Sequence, residues 1–222
     1  MKKKILSITL VVALVAIAAM GTIAYFTDKE EVNNVMQFGK VDITLTEPAW
    51  NPDPDNKPVL YPGISFDKDP TIKLTADSLP SWMLLDVKAD IKLVKLMAAN
   101  EGLTVEELMA EMEASHTFRE EVVNKWLIGI DHEAWEVMGF AEKDGQLVVR
   151  LGYKTVLQPK DEVVFMIGIQ TPDTVTNEMI MNADITGEVN LGFVAYAVQA
   201  NPVDTLEAAA AEIPEIAPVP VP

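Results

Sequence analysis

The sequence holds two histidines, and the second opens the run His132-Glu133-Ala134-Trp135-Glu136. A His-Glu pair is the first half of a zinc-peptidase helix motif, in which two imidazoles one helical turn apart hold the metal and the glutamate serves as general base. Here Glu136 stands where the second imidazole belongs. Carboxylates also bind zinc, so His132, Glu136 and His116 with Glu133 as base form one conceivable ligand set. The simpler reading makes Asp131–Glu136 a loop running into a strand, with both histidines exposed and no metal or catalytic role. A second cation-binding pattern is Asn51, Asp53 and Asp55, which alternate like the opening of a calcium loop. Such a loop needs Gly at its sixth position and Glu at its twelfth; Asn56 and Pro62 stand there instead. The interleaved prolines favour an exposed extended loop, with weak calcium binding as the alternative.

The chain has no cysteine, which excludes a disulfide scaffold, a thiol nucleophile and a zinc-thiolate site. No nucleophile elbow, P-loop or dinucleotide fingerprint is present. Trp50, Trp82, Trp126 and Trp135 could line a cleft, but aromatic residues of an all-β domain are expected in its core. The chemistry-bearing residues thus point to a protein that is not an enzyme and uses no cofactor.

Charge narrows the partners. The 222 residues carry 17 Lys+Arg against 34 Asp+Glu, a net charge of −17. That balance argues against binding nucleic acid or an anionic membrane surface, both of which need cations. The cations are unevenly placed: Lys2, Lys3 and Lys4 precede the uncharged run Ile5–Met20 and then Gly21-Thr22-Ile23-Ala24. A basic start, a short apolar stretch and small residues at the last and third-last positions describe a secretory signal. Cleavage is expected between Ala24 and Tyr25, with Thr22 and Ala24 as the recognised small residues; a retained membrane anchor is the alternative. Removal of residues 1–24 takes the cations from 17 to 14 against 34 acids, leaving 198 residues at −20 and no stable membrane span.

The elements that must hold these residues read as mainly β. Val41, Ile43 and Leu45 alternate with polar neighbours, as do Leu85, Val87, Ala89, Ile91 and Leu93, which predicts strands. Ile72 and Leu74 mark a short strand, and Trp135–Phe140 and Leu147–Val156 flank an Asp144-Gly145 hairpin turn. Glu162–Gln170 is nearly all apolar and reads as one central strand, and Met179–Gln199 as one or two strands. Thr104–Glu107 and Thr117–Glu120 are capping boxes that predict helices over Val105–Ala114 and Phe118–Leu127, an insertion at about 104–127. Lys88 and Lys92 are expected on a solvated strand face. Leu206–Glu212 is Ala-rich and helical in character, and Ile213–Pro222 is Pro-rich and extended. The pattern predicts an antiparallel jelly-roll-type β-sandwich over 25–200 with a short helical insertion and a tail at 201–222.

Gly21-Thr22-Ile23-Ala24-Tyr25-Phe26-Thr27-Asp28, followed by Asn33-Asn34-Val35-Met36-Gln37-Phe38-Gly39-Lys40-Val41-Asp42-Ile43, resembles the start of the TasA/camelysin family. Glu47–Trp50, Tyr61-Pro62-Gly63, Lys68–Ile72 and Ala195–Ala200 resemble further segments of its clostridial members. The resemblance covers residues 1 to about 200. It implies export from a Gram-positive bacterium through the signal peptidase SipW, a jelly-roll fold, and assembly as a homopolymer into biofilm-matrix or cell-surface fibres. It further implies that an N-terminal segment of one copy completes the sheet of the next. The donor would lie within Tyr25–Phe38, where Tyr25, Phe26, Val32, Val35, Met36 and Phe38 are the side chains able to fill an acceptor groove. Camelysin is classed as a metalloprotease, so a surface metallopeptidase is the alternative function; a non-polymerising binding module is a third.

Overall fold

The strand and helix patterns resolve into ten strands and five helices in a computed structural model that describes residues 40–50, 59–185 and 188–213. In chain order the elements are β1 (Ile43–Thr46), β2 (Ser65–Asp67), β3 (Thr71–Leu74), β4 (Ser81–Asp90), α1 (Ile91–Glu101), α2 (Val105–Ala114) and α3 (His116–Asn124). There follow β5 (Leu127–Ile128), β6 (Trp135–Lys143), β7 (Gln146–Tyr153), β8 (Glu162–Val164), β9 (Gly168–Gln170), α4 (Asn177–Asn182), β10 (Leu191–Gln199) and α5 (Leu206–Ala211). The strands form three antiparallel sheets, ordered β10-β4-β7-β6, β1-β3-β8 and β2-β9-β5. The fold is mainly β, as the alternation predicts.

One face of the large sheet supplies the main core. Met83, Leu85 and Val87 of β4 and Leu151 of β7 pack with Ile72 and Leu74 of β3, Val163 of β8, and Phe165 and Met166 beyond it. Each such side chain contributes roughly 1.5–3 kcal/mol when fully removed from water. Trp135 stands edge-on to Tyr153 and Phe165, with ring centroids 5.2 and 5.4 Å apart. The helices form a second cluster in which Val94, Leu108, Met112 and Val122 pack on Leu147 of β7. Leu96 of α1, Trp126, Val175 and Ala183 make a third.

Several elements depart from expectation. The alternation through Leu93 does not continue one strand: β4 ends at Asp90, and Ile91 begins α1. The Asp90 carboxylate accepts from the Lys92 backbone N–H, and Gly102 at φ 72° closes the helix in the left-handed region that glycine adopts freely. Ile91 and Leu93 therefore sit on a helix, and the helical insertion runs from Ile91 to Asn124 rather than 104–127. The Thr104–Glu107 capping box is present as read. The following helix is capped by Ser115, two residues before Thr117.

Glu162–Gln170 is not one central strand. The chain leaves β8 at Val164 and joins β9, in a different sheet, at Gly168. Between them the Phe165 N–H donates to the Pro70 carbonyl and the Ile167 N–H to the Ile128 carbonyl. Phe165 and Met166 turn into the core while Val164 and Ile167 face out. Met179–Gln199 likewise divides into α4, capped by Thr176, and a single strand β10.

Candidate functional site

Both histidines lie at the helical layer, His116 at the start of α3 and His132 in the turn before β6. Their Nδ1 atoms each lie 3.5 Å from the same oxygen of Glu120, one turn along α3 from His116. His132 Nε2 is 2.9 Å from Asn124 Oδ1, so His132 is partly covered, where full exposure was expected. His132–Glu136 is a turn running into β6, not a helix, and therefore lacks the one-turn spacing of a zinc-peptidase pair. Glu133 lies in that turn with its backbone N–H bound to Asp131, and Glu136 lies on β6. Among the described residues no group of three His, Asp or Glu side chains has the geometry to hold a metal. The carboxylate the structure does bring to the histidines, Glu120, carries no sequence signal beyond its place one turn after His116.

The candidate calcium loop Asn51–Asn56, the junction Thr22, Ala24 and Tyr25, and the donor residues Tyr25, Phe26, Val32, Val35, Met36 and Phe38 lie outside the described residues. Among the described residues no helix is long and apolar enough to cross a membrane.

What the described chain offers at its surface is a pair of contrasting sheet margins. Along one, β6 bulges between Val137 and Gly139 and carries Glu136, Glu142 and Lys143. Bulges and charges are the usual devices that stop a sheet edge from pairing with another chain. The opposite margin is β10, Leu191-Gly-Phe-Val-Ala-Tyr-Ala-Val-Gln199. It pairs with β4 through nine consecutive positions, from Leu191 opposite Ala89 to Gln199 opposite Ser81, without a bulge. It has no charge and no proline, and all nine of its residues are half-buried. Leu191, Phe193, Ala195 and Ala197 pack at the rim of the main core. On the smaller sheet β1 is also marginal, and its Ile43 and Leu45 are only half-buried.

Two of the segments singled out in the sequence meet beside this margin. The buried Lys68 ammonium lies 2.7 Å from Glu47, 4.3 Å from the centroid of the Trp50 ring and 5.2 Å from that of Phe193 on β10. The Ala49 N–H donates to Asp69. Glu47–Trp50 and Lys68–Ile72 thus form one knot, which pays for the burial of a lysine with one carboxylate and two aromatic faces. Of the four tryptophans only Trp126 and Trp135 are buried in the core. Trp50 caps Lys68, and Trp82 donates its indole N–H to the Val203 carbonyl.

Compared with known proteins, the chain matches no family model, no curated protein and no solved structure.

Proposed function

We propose that this is a secreted structural protein whose copies join into extracellular or cell-surface fibres, the N-terminal segment of one completing the sheet of the next. The observation that carries the reading is β10: nine residues at a sheet margin, uncharged, proline-free and unbulged, while the opposite margin is blunted. A strand of that kind is a template for backbone pairing with another chain. The donor on this reading is Tyr25–Phe38, freed at its N-terminus by cleavage after Ala24. The assembling domain, 25–200, is of jelly-roll type. The resemblance of residues 21–43 to TasA/camelysin proteins supports the same reading. The function is non-enzymatic and needs no cofactor, and the acidity of the mature chain keeps monomers apart until they pair.

The test is electron microscopy of the chain beginning at Tyr25 beside a chain lacking Tyr25–Phe38 and a Gly192→Glu variant. A Cβ at Gly192 meets nothing within 4 Å, and position 192 lies opposite Lys88, so the glutamate is accommodated in the monomer while placing a charge on the margin. Fibres from the first chain alone are expected. Fibres from the chain lacking Tyr25–Phe38 overturn donation by that segment, and fibres from Gly192→Glu overturn the assignment of β10 as the accepting margin. Absence of fibres from the intact chain overturns the polymer.

A further inference from the structure

The large sheet has a second face. Met83, Leu85 and Val87 of β4 and Leu151 of β7 turn into the main core, so Asp86, Lys88 and Val148, which alternate with them, point to the other side. On that side a groove of about 160 Å³ is lined by Lys88 of β4, Ala141 and Lys143 of β6, Val148 of β7 and Tyr196 of β10, with Asp86 at one end and Asp144 and Gln146 at the other.

The end of the described chain runs along this face toward the groove. The Trp82 indole N–H donates to the Val203 carbonyl, Leu206 of α5 lies against Gly152, and Arg150 Nη1 donates to the Ile213 carbonyl. Gly152 stands opposite Leu84 and Arg150 opposite Asp86. From Val203 to Ile213 the chain thus advances along β4 from Trp82 past Leu84 to Asp86. The next rungs in that direction are Lys88 opposite Val148 and Asp90 opposite Gln146, and these bound the groove. Tyr196, 5.3 Å from the Arg150 guanidinium, stands where the bonded chain stops and the groove begins.

We infer that the groove is the docking site of the segment that follows Ile213 in the same chain, Pro214-Glu215-Ile216-Ala217-Pro218. Length fits: four strand residues separate Arg150 from Gln146, about 13 Å, and a polyproline-type segment covers that distance in four or five residues at about 3.1 Å each. Charge fits as well. Asp86 is matched by Arg150, so Lys88 and Lys143 outnumber Asp144 in the groove, against a chain at −17. Glu215, two residues past Ile213, arrives about 6 Å further on, at the Lys88 rung. Pro214, Ile216 and Pro218 meet Tyr196, Val148 and Ala141, and aromatic-lined grooves are the usual seats of proline-rich segments. The occupant is the chain's own tail because Ile213 is already bonded at the mouth of the groove, which gives the following residues a high effective concentration there. The tail is then a strap across the outer face of the sheet, whether or not copies pair at β10.

The test uses the absence of cysteine from the chain. In Gln146→Cys/Ala217→Cys the two thiols should close an intramolecular disulfide under mild oxidation, seen as a faster-migrating monomer on a non-reducing gel. Adding Glu215→Lys should slow closure about threefold or more, since an attraction becomes a repulsion, and adding Lys88→Glu/Lys143→Glu to that variant should restore the rate. No closure overturns the inference. So does a closure rate that Glu215→Lys leaves unchanged, which is the behaviour of a tail that merely swings past Gln146. Disulfide-linked dimers in place of closed monomers overturn the assignment to the chain's own tail and give the groove to the tail of a second copy.

Discussion

Arg150 of β7 and Asp86 of β4 face each other across the sheet in a two-pronged pair, Nε to Oδ1 at 2.8 Å and Nη2 to Oδ2 at 2.9 Å, with both residues buried. The third prong, Nη1, donates to the Ile213 carbonyl, and the guanidinium lies 5.3 Å from the Tyr196 ring centroid on β10. Arg150 thus joins the centre of the large sheet to the end of the described chain. Asp86→Ala leaves that cation buried without its carboxylate and should cost about 3–5 kcal/mol, read from urea denaturation midpoints. The double variant Asp86→Leu/Arg150→Met should recover most of the loss, because it removes both charges together.

Gly152 of β7 lies under α5. A Cβ there would stand 2.7 to 2.9 Å from three carbons of the Leu206 side chain. Gly152→Ala should therefore push α5 off the sheet and cost about 1–3 kcal/mol. Trp82 reports the displacement, since its indole N–H bonds Val203 just ahead of α5: its fluorescence should shift to that of a wetter ring. Adding Leu206→Ala should restore the native emission.

The capping box of α2 makes a pH prediction. The Thr104 N–H and hydroxyl both donate to Glu107 Oε2 at 2.9 Å, and these bonds hold the Glu107 carboxyl below its ordinary value. A depressed carboxylate contributes stability that is fully present above the unfolded value, about 4.3, and is lost as pH falls through the lower folded value. Amide exchange in α2 should therefore accelerate only below about pH 4. In Glu107→Gln the acid-dependent part should vanish, since glutamine caps without titrating. Thr104→Ala should cost about 1 kcal/mol at neutral pH and less in acid, where protonated Glu107 no longer gains from the Thr104 hydroxyl.

The pairing of both imidazoles with Glu120, and not with Glu133 or Glu136, predicts that purified protein holds no stoichiometric zinc and does not cleave casein. Metal analysis and a casein assay of the native protein and of His132→Ala check this, and both proteins should give the same result. Stoichiometric zinc and cleavage that disappear together in His132→Ala would establish the metallopeptidase reading instead.

Elements whose determinants sit within a few residues were legible in the chain. The Thr104–Glu107 box closes within one turn of helix. Asp144 and Gly145, at φ 53° and 73°, form the two-residue turn that their types require and set Lys143 opposite Gln146. The one-sided patterns of β1 and β3 were visible because Ile43, Leu45, Ile72 and Leu74 face the core while Thr44 and Lys73 do not.

Other assignments needed partners distant in sequence. Ile91 and Leu93 continue the alternation of β4, so period alone could not tell strand from helix. Asp90 and Gly102 do mark the boundaries, and those two cap residues are the signal that separates the readings. In Glu162–Gln170 every apolar residue looked equivalent, but pairing with Pro70 and Ile128 sends two of them inward and leaves Val164 and Ile167 outside. Asp86 and Lys88 looked alike on a polar face, yet Asp86 is buried because Arg150, 64 residues away, lies opposite it.

By itself the sequence determined the acidic balance, the absence of thiol chemistry, the Thr104–Glu107 cap, the hairpin turn and the mainly β character, all of which follow from composition or from short-range geometry. Only the tertiary structure decided that, among the described strands, β10 is a margin of the large sheet and β4 is not, and that both histidines turn to Glu120. Those are relations between residues that the chain brings together by closing long loops, and no local propensity encodes which pairs will meet.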